Sequence, residues 1–219
     1  ASTLGVYGFK YPKYPVSETH RINPANNYQE SKFLAEQYLM SLNKEQGIDT
    51  SAIRNSLIVG PRDTVTSIRV SQGLLNGQIS FIGNGNNTFS MVDARDSSKA
   101  MILCSKLPQS KGQAYNVKSF DVSQNDYFNY YASACGGCYP KRRIPVPIAK
   151  TFAWYKEKTT PKGKEVLVNR TRVDRYTNTR LLDTTKIETE LGYKPDHGNP
   201  EEVIKESVEW LYNNNYLKR

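Results

Sequence analysis

The chain has 219 residues, 37% hydrophobic and 23% charged, with 14 glycines and 11 prolines; it can bury a sizeable core, and collagen, coiled coil and wholesale disorder are excluded. Thirty Lys and Arg against 21 Asp and Glu leave a net charge of +9, which suits an anionic partner without choosing among a nucleotide, a nucleic acid and plain solubility. No apolar run approaches the roughly 18 residues of a membrane span, and three cysteines are too few for a disulfide scaffold, so the chain reads as soluble, reduced and cytoplasmic.

Ala1 to Gly8 has the small and β-branched residues of a strand end followed by a glycine turn. A chain that opens inside a core strand is expected to be a fragment of something longer. Pro24-Ala25-Asn26-Asn27 offers a turn and an N-cap, and Leu34, Ala35, Tyr38, Leu39 and Leu42 have the spacing of one buried helix face, closed by Gly47. Thr50 to Val59 reads as a buried strand stopped by Gly60-Pro61. A helix over Ser67 to Leu75, a strand over Ile79 to Ile82, the turn Gly83 to Asn87 and a strand over Phe89 to Val92 come next. Asp96-Ser97-Ser98 caps a helix to Lys106, and Gln113 to Val117 is a further strand. Gln124 to Ala134, Ile148 to Lys158, Thr184 to Leu191 and Pro200 to Asn213 complete the helices, while the Lys-, Arg- and Thr-rich stretch Thr159 to Asn178 reads as an exposed loop. Alternating strands and helices imply an α/β protein with a parallel sheet.

Tyr28 and Lys32 are four apart on the first helix and share a face. A neighbouring ammonium favours phenolate, which is how a tyrosine with a free pKa of about 10 becomes a general acid/base near neutrality. With 15 tyrosines in the chain the pair alone carries little, and its surroundings carry more. Ser2-Thr3-x-x-Val6-Tyr7-Gly8, then Glu18, Pro24, Tyr28-x-x-x-Lys32 and Glu36, then Ile53-Arg54 and Gly60-Pro61-Arg62 stand in order. Ile82-Gly83-Asn84-Gly85, Val92-Asp93-x-x-Asp96, Gly112 to Val117, Asp183-x-x-Lys186 and Leu191-Gly192-Tyr193-x-Pro195 continue the series. Over almost its whole length the chain resembles the extended short-chain dehydrogenase/reductases, the NAD(P)-dependent epimerase/dehydratase and 3β-hydroxysteroid dehydrogenase or dihydroflavonol reductase-like group.

That resemblance implies an incomplete Rossmann-type doubly wound parallel sheet with a smaller α/β C-terminal substrate-binding domain. Residues 1–61, joined by about 92–118, would be the second half of the NAD(P)-binding domain, and 62–219 mainly the substrate domain. It implies Thr3, with Ser2 as the lesser choice, as the hydroxyl that polarises the substrate oxygen. Tyr28 would be the acid/base, Lys32 the residue that tunes it and bonds the nicotinamide ribose, and Asn55 a neighbour of the nicotinamide amide. The cofactor would be NAD or NADP, the partner a small-molecule substrate, and the assembly a homodimer through the Tyr28 helix. The reaction would be hydride transfer at a secondary alcohol or ketone carbon; a nucleotide-sugar epimerase or dehydratase, or a non-catalytic relative binding RNA or a protein, are the alternatives.

Two features depart from the family pattern. The glycine-rich strand-to-helix turn that cradles the cofactor pyrophosphate is absent, so the chain resembles about two-thirds of a protein of roughly 330 residues and by itself would bind NAD(P) poorly. Leu57 and Phe89 stand where nucleotide-sugar enzymes place Asn and Arg, which favours the branch acting on less polar substrates. Other signals point to structure rather than chemistry. Cys135-Gly136-Gly137-Cys138 follows a helix end and lacks a second ligand pair, so no metal is expected; His20 and His197 lie in loop-like stretches; and the basic runs Lys141 to Arg143 and Arg170 to Arg180 read as a solvated face rather than a nucleic-acid surface.

Overall fold

The structure, a computed structural model, describes residues 1–11, 13–161, 166 and 169–218. In β1 (Ser2–Thr3) the Thr3 hydroxyl accepts the Gly5 N–H and caps a 3-10 turn over Leu4–Tyr7. Gly8 ends that turn at φ 81°, where a Cβ would lie 2.5 Å from the Asn23 carbonyl oxygen, so the corner admits only glycine. Asn26 starts α1 (Asn27–Gln46) by accepting the Gln29 N–H, and Gly47 stops it in the left-handed region. β2 (Ala52–Asn55) and β3 (Leu57–Val59) follow, then α2 (Thr66–Leu75), β4 (Phe81–Ile82) and β5 (Thr88–Asp93). Asp93 caps α3 (Ala94–Lys106), which leads to β6 (Ala114–Val117) and β7 (Phe120–Ser123). Ser123 caps α4 (Gln124–Cys135), and β8 (Arg143–Ile144) precedes α5 (Val146–Thr159). α6 (Arg170–Thr177), α7 (Thr185–Leu191) and α8 (Pro200–Asn213) close the chain, α8 with proline in its first turn.

β1, β2 and β6 form a parallel sheet in that order, with Thr3 opposite Asn55 and Asn55 opposite Val117. Side chains alternate along a strand, and β2 shows what each face receives. Ile53 packs with Ala100 and Cys104 of α3, and Asn55 accepts a hydrogen bond from Ser97 on the same helix. Arg54 points the other way and pairs with Glu36 of α1. Helices therefore cover both faces of a parallel sheet, the Rossmann-type architecture expected from the sequence. β3, β5 and β7 form a second sheet, parallel then antiparallel, and β4 pairs with β8. Around the second sheet α4 and α8 bury the largest apolar cluster, with Phe81, Met91, Tyr131 and Leu211 almost wholly enclosed.

Several expectations are corrected. Thr50 to Val59 is not one strand: it breaks at Ser56, whose N–H bonds Val117, and the chain leaves one sheet for the other. The Ile79 to Ile82 strand shrinks to Phe81–Ile82 because its partner β8 is only two residues long. The third helix starts at Ala94 with Asp93 as its cap; Asp96 lies inside the first turn, bonded to Ser119 and to the His197 and Asp196 N–H groups. β7 has no counterpart among the expected elements. The expected loop from Thr159 to Asn178 contains α6, capped by Asn169 and buried through Val173; residues 162–165 and 167–168 of that stretch lie outside the described residues. On α1 the inward positions are Gln29 and Glu36, while Leu34 and Tyr38 are 56% and 64% exposed. Polar residues reach the interior there because each finds a partner, Ala25 N–H for Gln29 and Arg54 for Glu36.

Candidate active site

Strand carboxyl ends are where α/β sheets bind ligands, and here three of the four expected residues, Thr3, Tyr28 and Asn55, border one cavity. Thr3 ends β1 and Asn55 ends β2 directly opposite it. Tyr28 stands in the first turn of α1, and the Lys32 ammonium lies 5.9 Å from its ring centroid. Thr3, Tyr28 and Asn55 all line one cavity of about 320 Å³, which also takes in Ser56 and Leu57. Lys32 is not among its lining residues. The Thr3 oxygen accepts from Gly5, which leaves its proton free to donate. Asn55 has its Oδ1 committed to Ser97, whereas the Ser56 hydroxyl is buried without a partner.

A buried lattice fixes the helix that carries Tyr28. Gln29, the next residue, is buried against Gly5, where an added Cβ would come within 2.9 Å of its Cγ. Two turns on, Arg54 donates from Nε to both Glu36 oxygens at 3.1 and 3.2 Å and from Nη1 to Tyr7 Oη at 2.7 Å. Tyr7 in turn donates to Asn116 Oδ1, and the Asn116 N–H donates to the Glu18 carboxylate. Burial pushes the Tyr7 hydroxyl and the Glu18 carboxyl up, against the opposing pull of Arg54 and, for Glu18, of the Asn116 N–H. α1, β2, β6 and the Val-Tyr-Gly corner are thus tied into one unit whose members are spread over 110 residues of sequence.

A second cavity of about 340 Å³ shares Leu57, Arg175 and Arg180 with the first and is walled by Phe89, Tyr127 and Phe128. Arg180 is only 8% exposed, its Nε is buried without a hydrogen-bond partner among the described residues, and its guanidinium lies 5.8 Å from the Phe9 ring. Burial, with the like charge of Arg175, pushes it down to about 10 despite the Tyr11 hydroxyl. Neither cavity is lined by Asp or Glu among the described residues. The solvated-face reading of this basic run is therefore corrected at Arg175 and Arg180: α6 and a bridge between Arg180 and Phe89 turn them into the cleft. The available signal was Leu181-Leu182 directly after Arg180, an apolar pair that returns the chain to the core.

The remaining sequence signals have structural places. Cys135 is buried with its sulfur toward the Ser71 and Ala132 carbonyls, Cys138 is exposed, and all three cysteines are free thiols. His197 contacts buried Asp96 through Nδ1 at 3.1 Å, and His20 packs edge-on to Tyr7. Among the described residues no three His, Cys, Asp or Glu side chains are grouped as a metal site.

Residues 1–117 match the model of the NAD dependent epimerase/dehydratase family. A Methanocaldococcus jannaschii protein assigned as a UDP-glucose 4-epimerase is 29% identical over 218 residues, 96% of this chain and 61% of that protein. A Synechocystis protein assigned as a dihydroflavonol 4-reductase is 25% identical over 198 residues, 87% of this chain and 56% of that one. The structure of Thermotoga maritima UDP-glucose 4-epimerase with UDP-glucose superposes with a TM-score of 0.72 at 22% identity, covering 98% of this chain and 62% of that one. The chain thus spans about three-fifths of the length of the relatives it matches.

Proposed function

Because the chain belongs to the NAD dependent epimerase/dehydratase family, we propose that Thr3, Tyr28 and Lys32 serve hydride transfer between NAD, or NADP, and a secondary alcohol or ketone carbon. The observation that carries this reading is the single cavity lined by both Thr3 and Tyr28 at the carboxyl ends of β1 and β2. Tyr28 passes the hydroxyl proton to and from the substrate oxygen, and the free proton of Thr3 holds that oxygen in place. Lys32 sets a positive charge beside the tyrosine ring and offers a donor to a ribose hydroxyl. When bound, the dinucleotide supplies the hydride acceptor. This chain fits the nicotinamide end: the unpartnered Ser56 hydroxyl and the neighbouring Asn55 border the cavity and are the groups available to a carboxamide.

The cleft favours a substrate with an anionic group. Leu57 and Phe89 indeed line the apolar cavity, yet Arg175 and Arg180 supply the charge those positions lack. A buried guanidinium that meets no carboxylate among the described residues is stabilised by a bidentate phosphate or carboxylate, so an acidic alcohol such as a sugar nucleotide is the class proposed. The outward Leu34 and Tyr38 on α1 support the implied homodimer. Tyr28→Phe in the full-length protein should lower turnover by about 10²–10⁴-fold with cofactor binding unchanged. Intact turnover would remove Tyr28 from the chemistry.

A further inference from the structure

α5 is built inside out. Its inward positions are small: Ala149 and Ala153 pack against Val173 of α6 and Ile82 of β4. Its large apolar side chains face away from the protein. Ile148, Phe152 and Tyr155 follow one line at i, i+4 and i+7 and are 60%, 48% and 55% exposed, and Trp154 on the flank is 48% exposed. A surface helix ordinarily turns its apolar stripe inward and its polar residues out, so this outward stripe has no partner among the described residues.

The charge around the stripe identifies that partner. From Lys141 to Pro161 the sequence has six Lys or Arg and one acid, Glu157, which is +5 of the chain's +9. The Glu157 carboxylate is occupied by Arg170, and of the six cations Lys150 is paired with Asp174 of α6. Lys141, Arg142 and Lys158 are exposed, and Lys156 lies 5.5 Å from the Phe152 ring centroid.

We propose that α5 is an interfacial docking helix that seats the protein on an anionic lipid surface. Aromatic side chains prefer the headgroup level of a bilayer, and lysines beside them are drawn to anionic lipids. Protein interfaces, in contrast, are depleted of lysine. Fourteen residues make a helix about 21 Å long, suited to lie in the surface plane, and no helix among the described residues is long and apolar enough to cross a membrane. Docking there has a consequence for the cleft. Ile82 lies under α5 and also lines the apolar cavity, whose wall includes Arg175 and Tyr176 from the adjoining α6. The cavity wall would therefore stand one helix layer from the lipid.

The test is flotation of the full-length protein with vesicles of phosphatidylcholine alone and of phosphatidylcholine with phosphatidylglycerol, at about 0.1 M and about 0.5 M salt. The proposal expects flotation with the anionic vesicles only, reduced at high salt. Phe152→Ser, Trp154→Ser and Tyr155→Ser together should weaken it at least about tenfold while the melting temperature stays near that of the parent. Lys141→Glu with Arg142→Glu should weaken it independently, which covers failure of the triple variant to fold. Absence of flotation at low salt overturns the proposal, as does flotation that both variants leave intact. A dimer in light scattering that the triple variant dissociates would assign the stripe to a second copy of the chain and overturn it too.

Discussion

Replacing Arg54 with methionine should unfold this protein far more readily than its single hydrogen-bond network implies. The Arg54 and Glu36 side chains are only 8% and 5% exposed. Truncating one partner of a buried pair typically costs about 3–5 kcal/mol, because the other charge stays behind unpaired. Here Tyr7 Oη and the Glu18 carbonyl also lose a donor. That loss is a large part of a total stability of about 5–15 kcal/mol. Removing both charges, with Glu36→Leu and Arg54→Met, should restore most of the stability, since no charge is then buried alone. Urea unfolding of the four proteins of the cycle gives the coupling directly, provided the slope stays constant. The functional readout follows from position: Tyr28 lies eight residues before Glu36 on α1, so a single variant that still folds should lose turnover through a displaced tyrosine. A cost below about 1 kcal/mol for Arg54→Met, or a double variant less stable than either single one, would refute the reasoning.

Three further outcomes are expected. At Asp96 burial favours the protonated form, but the Ser119 hydroxyl, the N–H groups of Asp196 and His197 and the His197 ring outweigh it and hold the carboxyl below its usual range. A depressed folded pKa contributes stability that is full above the unfolded value of about 3.9 and lost as pH falls through the folded one. Asp96→Asn should therefore be less stable at neutral pH, with the gap in melting temperature narrowing toward about pH 3; parallel profiles would contradict this. Arg180→Met should raise the stability of the ligand-free protein by about 1 kcal/mol or more. Millimolar pyrophosphate should raise the melting temperature of the parent only, and an equal rise in the variant would dissociate Arg180 from anion binding. Gly8→Ala, at φ 81° and 2.5 Å from a backbone oxygen, should cost at least about 1–3 kcal/mol, read as a lowered urea midpoint; an unchanged midpoint would show that the corner relaxes.

Local signals announced what the sequence alone could determine. The Val-Tyr-Gly corner, the Asn26 cap and the four-residue step from Tyr28 to Lys32 are short-range features, and short-range sterics and helix periodicity decide them. The alternation of strands and helices, and hence a parallel sheet, was legible for the same reason. Tertiary contacts decided the rest. Leu34 and Tyr38 look like an inward face until Glu36 is seen to be neutralised by Arg54, a residue 18 positions away, and nothing in the helix itself reports that pairing. The break at Ser56 depends on two different sheets receiving the strands before and after it. Arg180 belongs by composition to a solvated basic run, and only its bridge to Phe89, 91 positions upstream, turns it into the cleft. Burying a charge or a polar group depends on a partner or ligand brought from elsewhere in the chain or from solution, so the cationic wall of this cleft, unlike Thr3, Tyr28 and Asn55, became visible only when the chain had folded.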